Sequence, residues 1–271
     1  MGFIRIGYPM SLGFNGYLNL EGISGADPLF NPHYRQLLNI IGIQPYQGWG
    51  WLFLIESTEA LAQRDKALGF LNVRYISAEK DEVLPDHYTV EAFPDLNVIQ
   101  LNNAWPRAFF TNRLRVYNAP EEFGKMVNSN DNGFFAAIHA SQQDVHPQIS
   151  ELTEAQTPPA FIKAFDYKRT NNQTTFNIKA TSAGVAVLHE NFVDDSFEAS
   201  INDEPVDYFR INHAFKGVWI DQPGTHTISF KYRPKYWNTS KWMFVAGLLV
   251  LTGLLIYSFR NNTKRSLKDP Q

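Results

Sequence analysis

Few residues in this chain have the types and spacing that chemistry requires. The densest cluster of small and acidic residues is GISGADP, residues 22–28, in which Asp27 stands directly before Pro28. Its carboxylate could face a ligand, or it could cap the loop that follows, the ordinary role of an aspartate at a turn. Gly48-Trp49-Gly50-Trp51 carries two indoles that could form a platform for flat sugar faces, with core packing as the favoured alternative. It is not a dinucleotide fingerprint. Gly22-Ile23-Ser24-Gly25 lacks the Gly-x-Ser-x-Gly frame of a nucleophile elbow. The seven histidines are scattered, and His139 and His146 lie seven apart across the end of an expected strand rather than on one helix face. No metal site and no cofactor is therefore expected. Asp194-Asp195 reads as a solvated turn between strands, and no Asp-x-Asp supports a metal-dependent nucleotide-sugar site. Asn172-Gln-Thr and Asn238-Thr-Ser match glycosylation sequons, a match short enough to arise by chance. Asp27, Trp49 and Trp51 remain the candidate ligand-facing residues, and no complete active site is legible.

The elements that would position such residues fall into two groups. Up to about residue 150, helix and strand signals alternate. Asn31-Pro32 is a helix start, a capping residue followed by proline at the first helical position. Leu37, Leu38 and Ile41 give that helix one apolar face, and Gly42 closes it. A second helix opens after Ser57, with Glu59 in its first turn, and runs to Gly69. VRYIS from Val73 reads as a buried strand, followed by YTVEAF, NVIQL and RAFFTNRLRVY. Pro120 to Val127 reads as a short helix leading into FFAAIHA. The polar, proline-bearing stretch 142–159 is the best linker. Beyond it only strands are expected: FIKAFDYKR, TTFNIKAT, GVAVLHENF, FEASIN, VDYFRIN, FKGVWI and HTISFKYR, separated by Asn171-Asn172, Ala183-Gly184, Asn202-Asp203 and Pro223-Gly224. Such spacing predicts an antiparallel β-sandwich. The expected fold is α+β: a mixed α/β domain over 1–150, a β-sandwich over 158–234, a transmembrane helix over 241–260 and a short basic tail over 261–271.

The membrane helix rests on WMFVAGLLVLTGLLIYSF, which carries no charge from Trp242 to Phe259. At ~1.5 Å per residue it is about 27 Å long, close to the hydrocarbon core of a bilayer. Trp242, Leu248, Leu249, Leu251, Leu254, Leu255, Ile256 and Tyr257 form its lipid-facing anchor, with aromatic rings at both edges. Arg260, Lys264, Arg265 and Lys268 follow it, while Lys231, Arg233, Lys235 and Lys241 precede it, so charge alone decides little about orientation. A hydrophobic fraction of 44% with 19% charged residues describes a folded chain. The net charge of −3 argues against nucleic acid as a partner. The absence of cysteine removes disulfides, thiolate metal sites and cysteine nucleophiles together. Met1 runs into FIRIGYP with no apolar leader segment, so the chain reads either as tail-anchored or as the C-terminal piece of a longer protein.

GYLNLEGISGADPLFNPHYRQLLNIIG resembles a segment of the YfhO-like bacterial membrane proteins, in which an Ile-Ser-Gly-x-Asp-Pro-Leu run precedes a Tyr-Arg-x-Leu-Leu helix. LGFLNVRYIS and NNAWPRAFFTNRLRVY are similar to two further segments of that family. The stretch from VLHENF to FKYRP resembles its terminal β-domain, with Asn212, Phe215, Val218, Pro223, Gly224, His226, Phe230, Tyr232 and Pro234 at the signature places. Where the family carries Tyr-Tyr-Pro-Gly-Trp, this chain has FVDDSF from Phe192 to Phe197, so no ligand contact of that tryptophan carries over. The resemblance implies a polytopic glycosyltransferase of the cell envelope that uses lipid-linked sugars, with catalytic carboxylates outside the stretch seen here. On that reading the chain is an extracytoplasmic, itself non-catalytic region at the cytoplasmic membrane. Its partners would be the lipid bilayer and an envelope glycopolymer or lipid-linked sugar. The alternatives are a single-pass, non-catalytic carbohydrate- or protein-binding module and a tail-anchored cytoplasmic protein.

Overall fold

The computed structural model of the chain describes residues 2–5, 21–22, 31–44, 55, 57–84, 88–129, 134–142, 152 and 160–266. The fold is α+β with one C-terminal apolar helix. Strands β1 (Gly2–Arg5) and β2 (Glu21–Gly22) come first, then helices α1 (Pro32–Ile40) and α2 (Thr58–Phe70). Both helices start where a side chain can satisfy a free backbone N–H. Asn31 Oδ1 accepts from Tyr34 N at 3.0 Å, and Ser57 Oγ accepts from Ala60 N at 3.2 Å. Gly42 lies just beyond α1 with φ 84°, a left-handed conformation that suits glycine. Next come β3 (Val73–Glu79), β4 (Thr89–Ala92), β5 (Leu96–Gln100), β6 (Ala108–Thr111), β7 (Arg115–Tyr117), α3 (Pro120–Asn128) and β8 (Ala137–His139). β1 to β5 form a mixed sheet in the order β2-β1-β3-β5-β4, and β7 pairs with β8 in parallel.

The remaining strands are β9 (Phe161–Lys163), β10 (Phe165–Arg169), β11 (Gln173–Ala180), β12 (Gly184–Asn191), β13 (Phe197–Ile201), β14 (Glu204–Val206), β15 (Tyr208–Ile211), β16 (Phe215–Ile220) and β17 (Gly224–Tyr232). They build two antiparallel sheets, β10-β11-β17-β13-β14 and β15-β16-β12-β6-β9. β6, from the first half of the chain, is therefore a strand of the sandwich: Ala186 pairs with Phe110 and Val187 with Phe109. Alternation along the pleat explains how it serves two cores at once. Ala108, Phe110, Ala186, Leu188 and Val218 face Phe176, Ile178, Ile228 and Phe230 of the opposing sheet. Phe109, Val185 and Val187 point the other way and join Leu37, Leu61, Phe70, Val73 and Ile99 in the larger core. The mixed helical region and the sandwich thus share a sheet that is covered on both faces.

α3 crosses α1 closely. A Cβ at Gly124 would lie 2.3 Å from the carbonyl oxygen of Ile40. Replacing glycine by alanine inside a helix gains about 1 kcal/mol in propensity, but forcing a methyl into a packed contact costs about 1–3 kcal/mol. Because the obstacle is backbone, the clash should prevail. Gly124→Ala is expected to lower stability by about 1–2 kcal/mol in denaturant melts, opposite in sign to the propensity effect.

The last helix, α4 (Trp237–Ser266), is longer at both ends than the expected span 241–260, and it takes in the start of the expected basic tail. Trp237–Phe259 has a mean hydropathy of 2.0 and is wholly unburied by the rest of the protein. Leu249 and Tyr257 are 70% and 68% exposed, and the rest of the anchor set, Trp242, Leu248, Leu251, Leu254, Leu255 and Ile256, is exposed as well. This helix is long and apolar enough to cross a membrane.

Candidate functional site

Asp27, Trp49 and Trp51, the residues singled out by type and spacing, lie outside the described residues. The described residues instead bring chemistry together where β12 ends. Its register against β16 slips between Leu188 and Asn191, so His189 and Glu190 occupy an irregularity of the kind that re-aims side chains. They point to opposite faces of the shared sheet, and each organises a separate polar cluster.

On the sandwich side, Glu190 meets Lys216 of β16. The ammonium lies 3.2 Å from Oε2, with the two side chains 1% and 18% exposed. Tyr167 and Thr174 each donate a hydroxyl to Oε1 at 2.9 Å. Tyr167 in turn accepts from the Arg107 guanidinium. The Lys216 ammonium stands 3.6 Å from the centroid of the Phe197 ring and 5.3 Å from that of Phe230, the geometry of a cation over aromatic faces. Burial pushes the Glu190 carboxyl upward, but Lys216, the two hydroxyl donors and Arg107 outweigh it, so its net shift is downward and it stays ionised. Burial pulls the Lys216 ammonium down against the opposing pull of Glu190. Burial and the adjacent carboxylate push the Tyr167 phenol up to about 12, which keeps it a donor.

Two cavities flank this network. One, of about 490 Å³, is lined by Arg169, Asn171, Asn172, Glu190, Phe197 and Tyr232 among others. The second, of about 440 Å³, is lined by Arg74, Gln100, Asn102, Arg107, Lys163 and Tyr167 among others. Both volumes are in the range of small-molecule sites. Glu190 lines the first and Tyr167 the second, so their hydrogen bond joins the two. The sequon at Asn172 falls in this site, and its Thr174 is buried and engaged with Glu190.

On the other face, His189 is fully buried, its ring 4.4 Å from Phe215 and 5.8 Å from Trp105. Asn212 Oδ1 accepts from Ala137 N at 2.8 Å, so its amide nitrogen faces His189 Nε2 at 3.1 Å. Nε2 must therefore act as an acceptor, and the imidazole is neutral. Burial, then Arg107, hold its pKa down at about 3. His213 lies 3.2 Å from the Tyr117 hydroxyl through Nδ1 and 3.1 Å from Gln36 Oε1 through Nε2. Its pKa is held at about 4 by burial first and then by Arg210, His33 and His139. His33 Nδ1 accepts from Arg210 at 2.6 Å. These imidazoles are structural: His189 Nε2 and His33 Nδ1 accept, while His213 accepts from Tyr117 through Nδ1 and donates from Nε2 to Gln36 Oε1. Among the described residues no group of three or more histidine, aspartate or glutamate side chains is placed to hold a metal ion.

Asp194 and Asp195 lie beside the first turn of α4, around a third cavity of about 580 Å³ that also touches Tyr208, Arg233 and Trp237. Asp195 has φ 50° and an exposed ion pair to Lys235 at 2.7 Å, in keeping with a solvated turn.

None of the Glu190 cluster stands out by motif. One signal for it does exist: in FKGVWI, Lys216 shares the parity of the buried Val218 and Ile220, a charge at an interior position of a strand. Comparison of the chain with models of known families, with curated proteins and with solved structures finds no match in any of the three.

Proposed function

We propose that this chain is a membrane-anchored carbohydrate-binding region of the bacterial cell envelope, of the YfhO-like kind, which holds a glycan at the Glu190 site without itself performing transfer. The observation that carries this reading is a single ionised carboxylate set between two polar cavities with hydroxyl, amide and aromatic neighbours. Sugar hydroxyls bind to such groups, and a sugar face can pack on the half-exposed Tyr232 ring. Glycoside hydrolysis needs two carboxyl groups about 5–10 Å apart, one of them able to donate a proton. Among the described residues lining these cavities Glu190 is the one carboxylate, and it is held as the anion.

The family resemblance supports a setting beside an envelope glycosyltransferase that uses lipid-linked sugars, where such a region would position an acceptor glycopolymer. The apolar stretch of α4 is bracketed by basic residues on both sides, Lys235 and Lys241 before it and Arg260, Lys264 and Arg265 after it, so the placement of the body on the outer face of the cytoplasmic membrane rests on the family resemblance. Protease treatment of spheroplasts checks this topology, with digestion of the folded body expected and full protection contrary to it.

Binding is tested with the full chain in nanodiscs, screened against neutral and acidic oligosaccharides by calorimetry. Tyr232→Ala is expected to weaken the best binder about tenfold, which corresponds to about 1.4 kcal/mol, with little change in melting temperature because Tyr232 is exposed. Absence of binding across the panel, or sugar transfer by the purified chain, would overturn the proposal.

A further inference from the structure

The charge balance at this site is opposite to that of the chain. Overall the protein carries 24 lysines and arginines against 27 aspartates and glutamates. Around the two cavities, Arg74, Arg107, Lys163 and Arg169, with Lys216 behind them, face the one carboxylate Glu190. The second cavity is the more one-sided, because its lining holds three of these cations and no acidic side chain. Arg74 and Lys163 are exposed and, among the described residues, have no ion-pair partner. Tyr167, kept protonated, and the amides of Gln100 and Asn102 add neutral polar groups to the same wall.

Positive charge concentrated in a concave, partly dehydrated site attracts anions more strongly than the same charge spread over an open surface. Guanidinium groups match the paired oxygens of carboxylate and phosphate in particular. We infer that the cavity lined by Arg74, Arg107 and Lys163 receives an oxyanion, carboxylate or phosphate, borne by the same saccharide whose hydroxyls meet Glu190. This inference rests on the carbohydrate-binding reading above and narrows it to acidic glycans. Tyr167 sits at the junction: it lines the anion cavity while its hydroxyl is fixed on Glu190. The two halves of the ligand would therefore be read on either side of one hydrogen bond.

The test uses the full chain in phosphatidylcholine nanodiscs, titrated with an oligogalacturonate, with the neutral galactose oligomer of the same length, and with inorganic phosphate. Arg74→Gln/Lys163→Gln is the variant of choice, because both side chains are exposed and neither holds the Glu190 network. The acidic oligomer should bind about tenfold more tightly than the neutral one, and added salt should shrink that preference. In the variant the preference should vanish while neutral binding persists, and phosphate should compete with the acidic oligomer on the wild-type protein alone. Equal affinity for the two oligomers, or a preference that survives in the variant, would overturn the inference and leave the carbohydrate reading standing. Phosphate binding that is lost in the variant, with no saccharide bound by either protein, would uphold the anion cavity and remove the carbohydrate reading.

Discussion

Acidification from pH 7 to pH 4 is expected to remove about 6 kcal/mol of stability through two imidazoles, His189 and His213. Both are neutral in the fold, with pKa values of about 3 and about 4. In the unfolded chain each titrates near 6.5. Above pH 6.5 neither state binds the proton, so these groups contribute no pH dependence. Below it the unfolded state takes up protons that the folded state refuses, and stability falls by about 1.4 kcal/mol per pH unit for each group. Over the window from 6.5 to 4 that amounts to about 3 kcal/mol apiece, against a total of about 5–15 kcal/mol for a typical fold. Protonation would also set two donors against each other at His189, where Asn212 already donates to Nε2. Denaturant titrations at pH 7, 5.5 and 4.5 measure the slope. His189→Gln retains an acceptor for Asn212 and should lower the slope by one proton. A flat profile between pH 7 and 5, or an unchanged slope in the variant, would rule out the assignment. Glu190 adds to the loss only at the acid end of this window, below the lowest pH measured. Its folded pKa is below the ordinary 4.5, so the stability it contributes is present above that value and is lost only as pH falls further.

Removing one member of the Lys216–Glu190 pair should have the next largest effect, and the two single substitutions should differ. Breaking a buried pair typically costs about 3–5 kcal/mol, because the surviving charge is stranded. Glu190→Gln strands an ammonium that is 1% exposed, and the full penalty is expected. Lys216→Met leaves a carboxylate at the rim of a cavity, still bonded to Tyr167 and Thr174, and about half that cost is expected. Glu190→Gln/Lys216→Met should recover most of the loss, since a methionine can fill the slot between Phe197 and Phe230. The Glu190→Gln protein should also gain stability as pH rises toward the ordinary lysine range. Its buried lysine releases a proton in the folded state at lower pH than in the unfolded chain, so the unfolded state binds more protons there and stability rises with pH. Equal costs for the two single substitutions, or additivity in the double one, would show that the pair does not act as a unit.

Much of the architecture is local and so could be read along the chain. Asn31 and Ser57 start helices because a side-chain oxygen next to a free N–H acts within three residues. Glycine beyond α1 and the Asn202-Asp203 hairpin, with φ 52° and 68°, record backbone preferences of the residues themselves. β11 shows the alternation of a strand with one covered face, and the apolar helix at the end is a matter of length and composition. What depended on pairing across the chain was not legible. AFFT in β6 is buried along its whole length, which calls for cover on both sides but does not name the sheet. Only the tertiary structure joins it to β12, eighty or so residues away along the chain, and thereby makes one shared sheet of two expected domains. The candidate site follows the same rule. Arg107, Tyr167, Thr174, Glu190 and Lys216 come from separate strands or their margins, and none has a telling neighbour in sequence. The composition and periodicity of the chain determine an α+β body and an apolar helix long enough to cross a membrane. Which charges are buried together, and which cavity they face, was decided by strand register, because a side chain's partners across a sheet are set by pairing rather than by proximity in sequence.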